Sequence, residues 1–322
     1  MRDSLIIGVV ALLSWNSGCA FVSPSTFAPT KTGRKVLAVR PNSGAAVIPR
    51  ERLGKIRNMV AIVVGISKYK YEGEGHPRLR NLDYAAADAD ALASHLVTSG
   101  FNKADLLTDQ KATLAEIRRT LGGRIKAAQE DDFVLVFWAG HACASRKNPR
   151  KLYLMTYDAD PDNLPDTAYA MSDFRAEISG IRAQRLMVVV DTCHSGGVSD
   201  PTVRYRGASA ADINSALRGV YVAEHASGQR TGTKGSAMRL VFTACEAGEV
   251  SRESSKFGHG VFTYYLLESL QGKADANGDG IITLDEMIEY TRSKVRAFSK
   301  GQQNPSAAGF FDRSVPMGVI KK

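Results

Sequence analysis

The sequence predicts an α/β fold whose central sheet is mostly parallel and carries helices on both faces. Continuous apolar runs at 59–66, 133–140 and 186–192 are typical of strands that are covered on both sides. Segments with apolar residues at helical spacing, at 85–96 and 114–125, lie between the first two of these runs. Strands that alternate with helices in this way indicate a parallel sheet covered on both faces.

The remaining elements follow the same alternation. Thr113 precedes one helical segment and Glu116 stands three residues later, which predicts a capping box. Residues 197–238 are rich in Gly, Ser, Ala and Arg without a sustained apolar run, and a loop of this length is usually functional or disordered. We predict further strands at 104–109, 153–159 and 240–245, and further helices at 173–181, 261–270 and 284–298.

The amino terminus predicts export. The apolar run 4–15 is too short for a membrane span but suits a secretory signal, so residues 1–20 are predicted to be a signal peptide or a lipoprotein signal. Two endings stay open: cleavage after Ala20, or lipidation of Cys19 in a sequence that resembles a bacterial lipobox. The protein is then expected to be periplasmic, an outer-membrane lipoprotein or secreted, and a lipid on Cys19 is its only expected membrane contact.

Residues 21–58 have the composition of a flexible linker. They contain four prolines and eight Lys or Arg against one acid, which accounts for much of the net charge of +9. The basic residues are not interleaved with aromatic ones, so the charge indicates solvation and we expect no nucleic-acid partner. The folded domain is predicted to span residues 59–320, and the sequence sets no oligomeric state.

Two predicted strands lead into residues that are capable of catalysis. His141 follows one strand and Cys193 follows the next strand but one along the chain. The carboxyl ends of parallel strands share one edge of a sheet, and neighbouring strands lie about 4.8 Å apart, so the two side chains could meet. An imidazole beside a thiol can take its proton and later protonate a leaving amine. The backbone N–H groups of Cys193 and Ala142 are candidate donors to an oxyanion.

Alone, a cysteine or histidine at a strand end is usually a buried core residue. Here the segments VLVFWAGH (134–141) and VVVDTCHSGG (188–197) resemble the His and Cys motifs of caspase-like peptidases, especially bacterial metacaspases. The resemblance runs from about residue 59 to 318 and includes VVGISKY, LDYAAADADAL and GHGVFTYYLLESL. It implies a caspase-like three-layer α/β/α fold.

The resemblance also implies a function. His141 and Cys193 would form a catalytic dyad that cleaves a peptide or protein through an acyl-enzyme. The acids of the family's S1 pocket match Asp191 and Asp88, so Arg or Lys is expected at P1, the residue before the cleaved bond. Simpler roles stay open for both acids, a turn or helix cap for Asp191 and a solvated helix face for Asp88.

One position departs from the family pattern, because Ala142 stands where glycine usually follows the histidine. If that position needs a positive φ, the methyl group costs about 1 kcal/mol and displaces an oxyanion donor. The alternative function is therefore an inactive homologue that serves as a calcium-braced binding or scaffold module. For an active enzyme we predict self-cleavage in the loop 197–238, whose basic residues are Arg204, Arg206, Arg218, Arg230 and Lys234.

Two other cysteine chemistries fit the sequence poorly. No short-spaced pair of zinc ligands is present, and Ser199 stands where a cysteine-based phosphatase requires arginine. We expect no organic cofactor.

Residues 275–286 match the loop of an EF-hand, which predicts Ca²⁺ binding. Gly280 occupies position six of the loop, where a sharp turn is needed, and predicted helices lie on both sides. An Asp/Asn/Gly turn that caps the next helix is the alternative. The predicted ligands are Asp275, Asn277, Asp279, the carbonyl of Ile281, Thr283 through water, and Glu286.

Overall fold

The computed structural model describes residues 56–73, 79–145, 147–148, 150–194, 217, 238–246 and 249–320, with backbone alone at 193 and 194. Several predictions lie outside these residues: the signal and Cys19, nearly all of the linker, the turn after Cys193, and the five basic loop residues of the predicted self-cleavage region. In the described part of the chain, no helix is both long and apolar enough to cross a membrane.

An eight-stranded sheet forms the centre of the molecule and is mostly parallel, as predicted. Six strands lie in the order β11-β7-β6-β3-β1-β2, and only the edge strand β11 runs antiparallel to its neighbour. β4 pairs antiparallel with the end of β3, and β5 pairs with β4. Two small sheets, β10-β12 and β8-β9, stand apart. The strands are β1 (Met59–Gly65), β2 (Lys103–Thr108), β3 (Phe133–Ala144), β4 (Leu152–Leu154), β5 (Tyr169–Ala170), β6 (Arg185–His194), β7 (Met238–Thr243), β8 (Glu253–Ser254), β9 (His259–Gly260), β10 (Ile281–Thr283), β11 (Ser306–Phe310) and β12 (Pro316–Val319).

Helices cover both faces of the sheet, which confirms the predicted three-layer arrangement. One apolar core joins one sheet face to α2 and α4, and a second core joins the other face to α1, α5 and α6. Successive residues of a strand therefore point alternately into the two cores. The helices are α1 (Ala85–Thr98), α2 (Leu114–Ala127), α3 (Leu164–Thr167), α4 (Met171–Ser179), α5 (Val261–Glu268) and α6 (Leu284–Phe298).

Helix ends follow the capping signals in the sequence. The Thr113 side chain accepts a hydrogen bond from the Glu116 N–H, which begins α2. Thr283 and Glu286 form a complete capping box, so α6 begins where the sequence indicates. The predicted helix 261–270 instead ends at Glu268, because five residues follow in a wider π-type turn.

Gly65 fixes the position of α1 against the sheet. A Cβ at this position would lie 2.3 Å from the carbonyl oxygen of Ala85 and 2.4 Å from the Cβ of Ala89. Only glycine lets the first turns of α1 lie directly on the end of β1. This contact holds the amino-terminal part of α1, with Asp88, beside the carboxyl edge of the parallel strands.

Candidate active site

The register of two central strands brings the predicted dyad residues together. β3 and β6 pair in parallel from Phe133 opposite Arg185 to Ala142 opposite His194, and within this ladder His141 lies opposite Cys193. Both strands extend further than predicted, so His141 belongs to β3 instead of following it. Directly opposed residues on neighbouring strands have backbones about 4.8 Å apart.

The imidazole of His141 is held at both its backbone and its ring. Its main-chain N–H donates to the hydroxyl of Tyr69 at 2.8 Å, and the two rings lie 5.1 Å apart between centroids. The ring Nε2 lies 2.8 Å from the carbonyl oxygen of Arg80. A carbonyl can only accept a hydrogen bond, so Nε2 carries the proton, and in the neutral ring Nδ1 is the basic nitrogen.

Ala142 fits its position without strain. It lies inside β3, paired with His194 on one side and Leu154 on the other. Among the described residues other than glycine, only Asp109 and Lys300 have a positive φ. Any residue can thus adopt the backbone conformation of Ala142, and its methyl group packs in the core at 1% exposure. The concern raised by the missing glycine does not apply to this conformation.

The two predicted S1 acids lie together at the carboxyl edge of the sheet. Asp88 from α1 and Asp191 from β6 are 2% and 4% exposed, so the prediction of a solvated helix face for Asp88 is wrong. A Cβ built on Gly260 would lie 2.8 Å from Oδ2 of Asp88 and 3.1 Å from Oδ2 of Asp191. Only glycine therefore fits at position 260, because any side chain would crowd both carboxylates.

These carboxyl groups line a small cavity that we call the acidic cavity. Its third acid is Glu253 of β8, which accepts hydrogen bonds from the backbone N–H groups of Asp83 and Tyr84 ahead of α1. The acidic cavity is lined by Leu82, Ala85, Asp88, Ala139, Gly140, Asp191, Ser251, Arg252, Glu253 and Gly260.

Hydroxyl groups hold Asp191 in a fixed orientation. Ser251 donates to Oδ1 at 2.6 Å and Thr263 donates to Oδ2 at 2.7 Å. The amide of Gln303, which is fully buried, donates in turn to the Ser251 hydroxyl at 3.2 Å. Asp191 thus accepts hydrogen bonds from two side chains of separate segments.

Burial raises the pKa of all three acids of the acidic cavity. The pKa of Asp191 rises to about 7 because burial penalises the charge and Asp88 adds repulsion, while the hydroxyls of Ser251 and Thr263 offset part of this effect. For Asp88, burial raises the pKa against the opposing hydrogen bond and charge of His259. For Glu253, burial raises the pKa against its two backbone hydrogen bonds. The ionised carboxylates of the acidic cavity are poorly solvated, and a bound cation would stabilise them.

The predicted calcium loop forms a turn between the π-type turn that follows α5 and the start of α6. Asp275 accepts from the N–H groups of Gly278 and Gly280, and Gly280 has a φ of +81° that suits position six. Glu286 accepts from the N–H of Ala276 at 3.2 Å, so its carboxylate reaches across the loop. Among the residues that the structure describes, no three His, Cys, Asp or Glu side chains are grouped as a metal site.

Several residues of the site were not predicted from the sequence. Ser251 and Glu253 come from a segment of two-residue strands, which has no periodicity to mark it. His259 and Gly260 lie in the GHG segment that carries part of the family resemblance, and that segment was the available signal. Arg80 contributes a main-chain oxygen to His141, which no side-chain pattern can reveal.

One family model and two solved structures are similar to this chain. The family model of the caspase domain matches residues 58–312. No curated protein sequence matches the chain. A crystal structure of a protein from Geobacter sulfurreducens is 20% identical, with a TM-score of 0.53 over 82% of this chain and 100% of that chain. The crystal structure of the Drosophila initiator caspase Dronc is 10% identical, with a TM-score of 0.50 over 91% of this chain and 95% of that chain.

Both structural likenesses concern the fold, because the sequence identities are low. The sheet order and the layers described above are those of a caspase-like α/β fold. Since the family model spans well over half of the sequence, the chain belongs to the caspase domain family.

Proposed function

We propose that this protein is a cysteine endopeptidase that cleaves after Arg or Lys, with Cys193 as nucleophile and His141 as base. A caspase domain is consistent with a cysteine peptidase acting on proteins. The single observation that carries the proposal is the register of His141 opposite Cys193. The carbonyl of Arg80 supports it, because it accepts the proton of Nε2 in a hydrogen bond and leaves Nδ1 of the imidazole basic.

In this mechanism His141 first takes the thiol proton of Cys193 on Nδ1. The thiolate attacks the carbonyl carbon of the substrate, a C–S bond forms, and backbone N–H groups of Cys193 and Ala142 receive the oxyanion. The imidazolium then protonates the amine as the C–N bond breaks. Water, deprotonated by His141, attacks the acyl-enzyme and releases the thiol. The Arg80 carbonyl orients the ring throughout these steps.

The acidic cavity supports the preference for a basic P1 residue. A guanidinium or ammonium group between Asp88 and Asp191 would stabilise the ionised form of both. A neutral or acidic side chain supplies no such partner, so the buried charges would remain uncompensated.

Reporter peptides that differ only at P1 test this proposal. We expect cleavage after Arg and Lys but not after Asp or Leu, and a loss of about a thousandfold or more in Cys193→Ala. Asp88→Asn and Asp191→Asn should lose the preference for Arg. Asp90→Asn is the matched control, because Asp90 also lies on α1 but does not line the acidic cavity. A folded wild-type protein that cleaves none of the peptides would instead support the inactive scaffold function.

Self-processing belongs to the same proposal. Cleavage after a basic residue of the loop 197–238 would separate the part that carries Cys193 from the carboxyl-terminal part. Intact-mass measurements should show this cleavage in wild type and its absence in purified Cys193→Ala. Equal rates in the two proteins would contradict it.

We also propose that the loop 275–286 binds Ca²⁺. Its donors are oxygen atoms, which Ca²⁺ prefers, and Glu286 already reaches across the loop from the first turn of α6. Titration calorimetry should detect Ca²⁺ binding that Glu286→Gln weakens by about tenfold or more. Glu289→Gln, on the exposed surface of the same helix, should bind as the wild type does. Absence of binding heat in the wild type would favour the turn that caps α6.

Export and the state of Cys19 form a separate proposal. We propose that the amino-terminal signal directs the chain out of the cytoplasm and ends either after Ala20 or at an acylated Cys19. Mass spectrometry of the mature amino terminus distinguishes these two endings, and an intact Met1 would contradict both.

A further inference from the structure

His259 contacts the acidic cavity from its outer side. Its Nδ1 lies 2.6 Å from Oδ1 of Asp88, and the backbone N–H of Gly260 donates to the same carboxylate at 3.0 Å. The side chain of His259 is 24% exposed, whereas that of Asp88 is 3% exposed. The histidine is therefore partly open to solvent, whereas the acid that it contacts is not.

The groups around His259 are mostly acidic on the cavity side. Asp88 faces it from α1, and Asp191 and Glu253 lie behind Asp88 in the acidic cavity. On the outer side, the phenol of Tyr264 lies 6.4 Å away between ring centroids, and Lys256 lies over the ring of Phe257. Arg252, which also lines the acidic cavity, donates to the side chain of Gln302. Among the residues that the structure describes, His259 is thus the basic side chain that contacts Asp88.

A buried carboxylate without a positive partner is unfavourable, and a protonated His259 would be such a partner. The same carboxylate is the one that a basic P1 side chain would need. When the imidazole is protonated, two cations compete for Asp88. When it is neutral, Nδ1–H still donates a hydrogen bond to Asp88, but the negative charge remains for the substrate.

We propose that position 259 sets the strength of P1 recognition, because a positive charge there competes with a basic P1 side chain for Asp88, whereas a neutral hydrogen-bond donor does not. The inference rests on the proposed function, because it assumes that the acidic cavity receives P1. It adds a residue that sets specificity without contacting the bond that is cleaved.

The test separates binding from catalysis. In the Cys193→Ala background, a peptide ending in Arg at P1 binds without being hydrolysed, and its Kd can be measured at pH 8. His259→Asn keeps an N–H donor near Asp88 without a charge, and His259→Lys places a charge there. Lys256→Gln removes a neighbouring cation that does not touch Asp88 and serves as the control.

A unit charge within several ångströms of a partly buried cation changes binding by about tenfold. His259→Lys should therefore bind the Arg peptide about tenfold more weakly than His259→Asn at pH 8. Lys256→Gln should change Kd by less than about twofold relative to the parent.

One outcome overturns the inference. If His259→Lys binds the Arg peptide as tightly as His259→Asn, a charge at this position does not compete with P1. The Arg peptide still binds in that case, so the proposed function stands. If the Arg peptide binds none of these proteins and the wild type cleaves no basic peptide at any pH, the proposed function itself fails and takes the inference with it.

Discussion

Replacing Asp191 by asparagine should stabilise the protein at alkaline pH while it weakens recognition of a basic P1 residue. Asp191 is buried, and its pKa rises from 3.8 to about 7. Ionisation is therefore disfavoured in the folded state. The resulting penalty is absent below pH 3.8, grows as the pH rises, and is complete above pH 7.

The size of the effect follows from the two pKa values. A change from 3.8 to about 7 corresponds to about 4 kcal/mol, at about 1.4 kcal/mol for each tenfold change in proton affinity. An asparagine can still accept from one hydroxyl and donate to the other, Ser251 or Thr263, so its hydrogen bonding costs about 1 kcal/mol at every pH. Between pH 5 and pH 8, the stability of Asp191→Asn relative to wild type should increase by about 2 kcal/mol or more.

Urea unfolding of both proteins at pH 5, 6, 7 and 8, in one buffer series at constant ionic strength, measures this difference. Titrating groups that do not interact with Asp191 contribute to both curves and cancel, while the lost repulsion with Asp88 adds to the stabilisation of the variant at high pH. If the two free energies of unfolding stay parallel across the range, Asp191 is not held with a raised pKa and the reasoning is refuted. Asp90→Asn removes an acid from α1 outside the acidic cavity and serves as the control for the loss of a carboxyl group.

Two further predictions concern the packing and the protonation of the fold. Gly65→Ala should destabilise the protein by about 2 kcal/mol in urea unfolding, because the new Cβ would overlap α1. Gly122→Ala should stabilise α2 by up to about 1 kcal/mol, because a Cβ there would have nothing within 4 Å. Equal effects of the two substitutions would contradict the close approach of α1. Burial lowers the pKa of His95 from 6.5 to about 4, so stability is lost as the pH falls through this range. His95→Gln should remove about 3 kcal/mol of that loss, and an unchanged acid limb of the stability curve would show that His95 is not buried neutral.

The central strands and long helices were predicted well because burial on both faces leaves a strong local pattern. α6 spans 284–298 as predicted, since the threonine and glutamate at its start form a capping box that is visible in the sequence. β3 continues to Ala144 beyond its predicted end, because the polar His141 interrupts the apolar run without ending the strand. β11 has small residues and pairs as an edge strand, which gives no apolar signal.

The site was predicted in part for a related reason. The residues at strand ends follow directly from the apolar runs, and the family resemblance added Asp88 and Asp191. The side chains that orient these acids come from short elements between β7 and α5, where tertiary contacts alone decide the conformation. Ser251, Glu253 and His259 could therefore be recognised only after the chain was folded around them.

The hydrogen bond from His141 to the carbonyl of Arg80 has a consequence for how this site tolerates mutation. Every amino acid has a carbonyl oxygen, so this hydrogen bond does not depend on which side chain residue 80 carries. Alanine scanning would therefore leave this hydrogen bond intact. A deletion or insertion of one residue between β1 and α1 would move the oxygen away. The support of the His141 imidazole therefore depends on the length of this segment more than on the identity of residue 80.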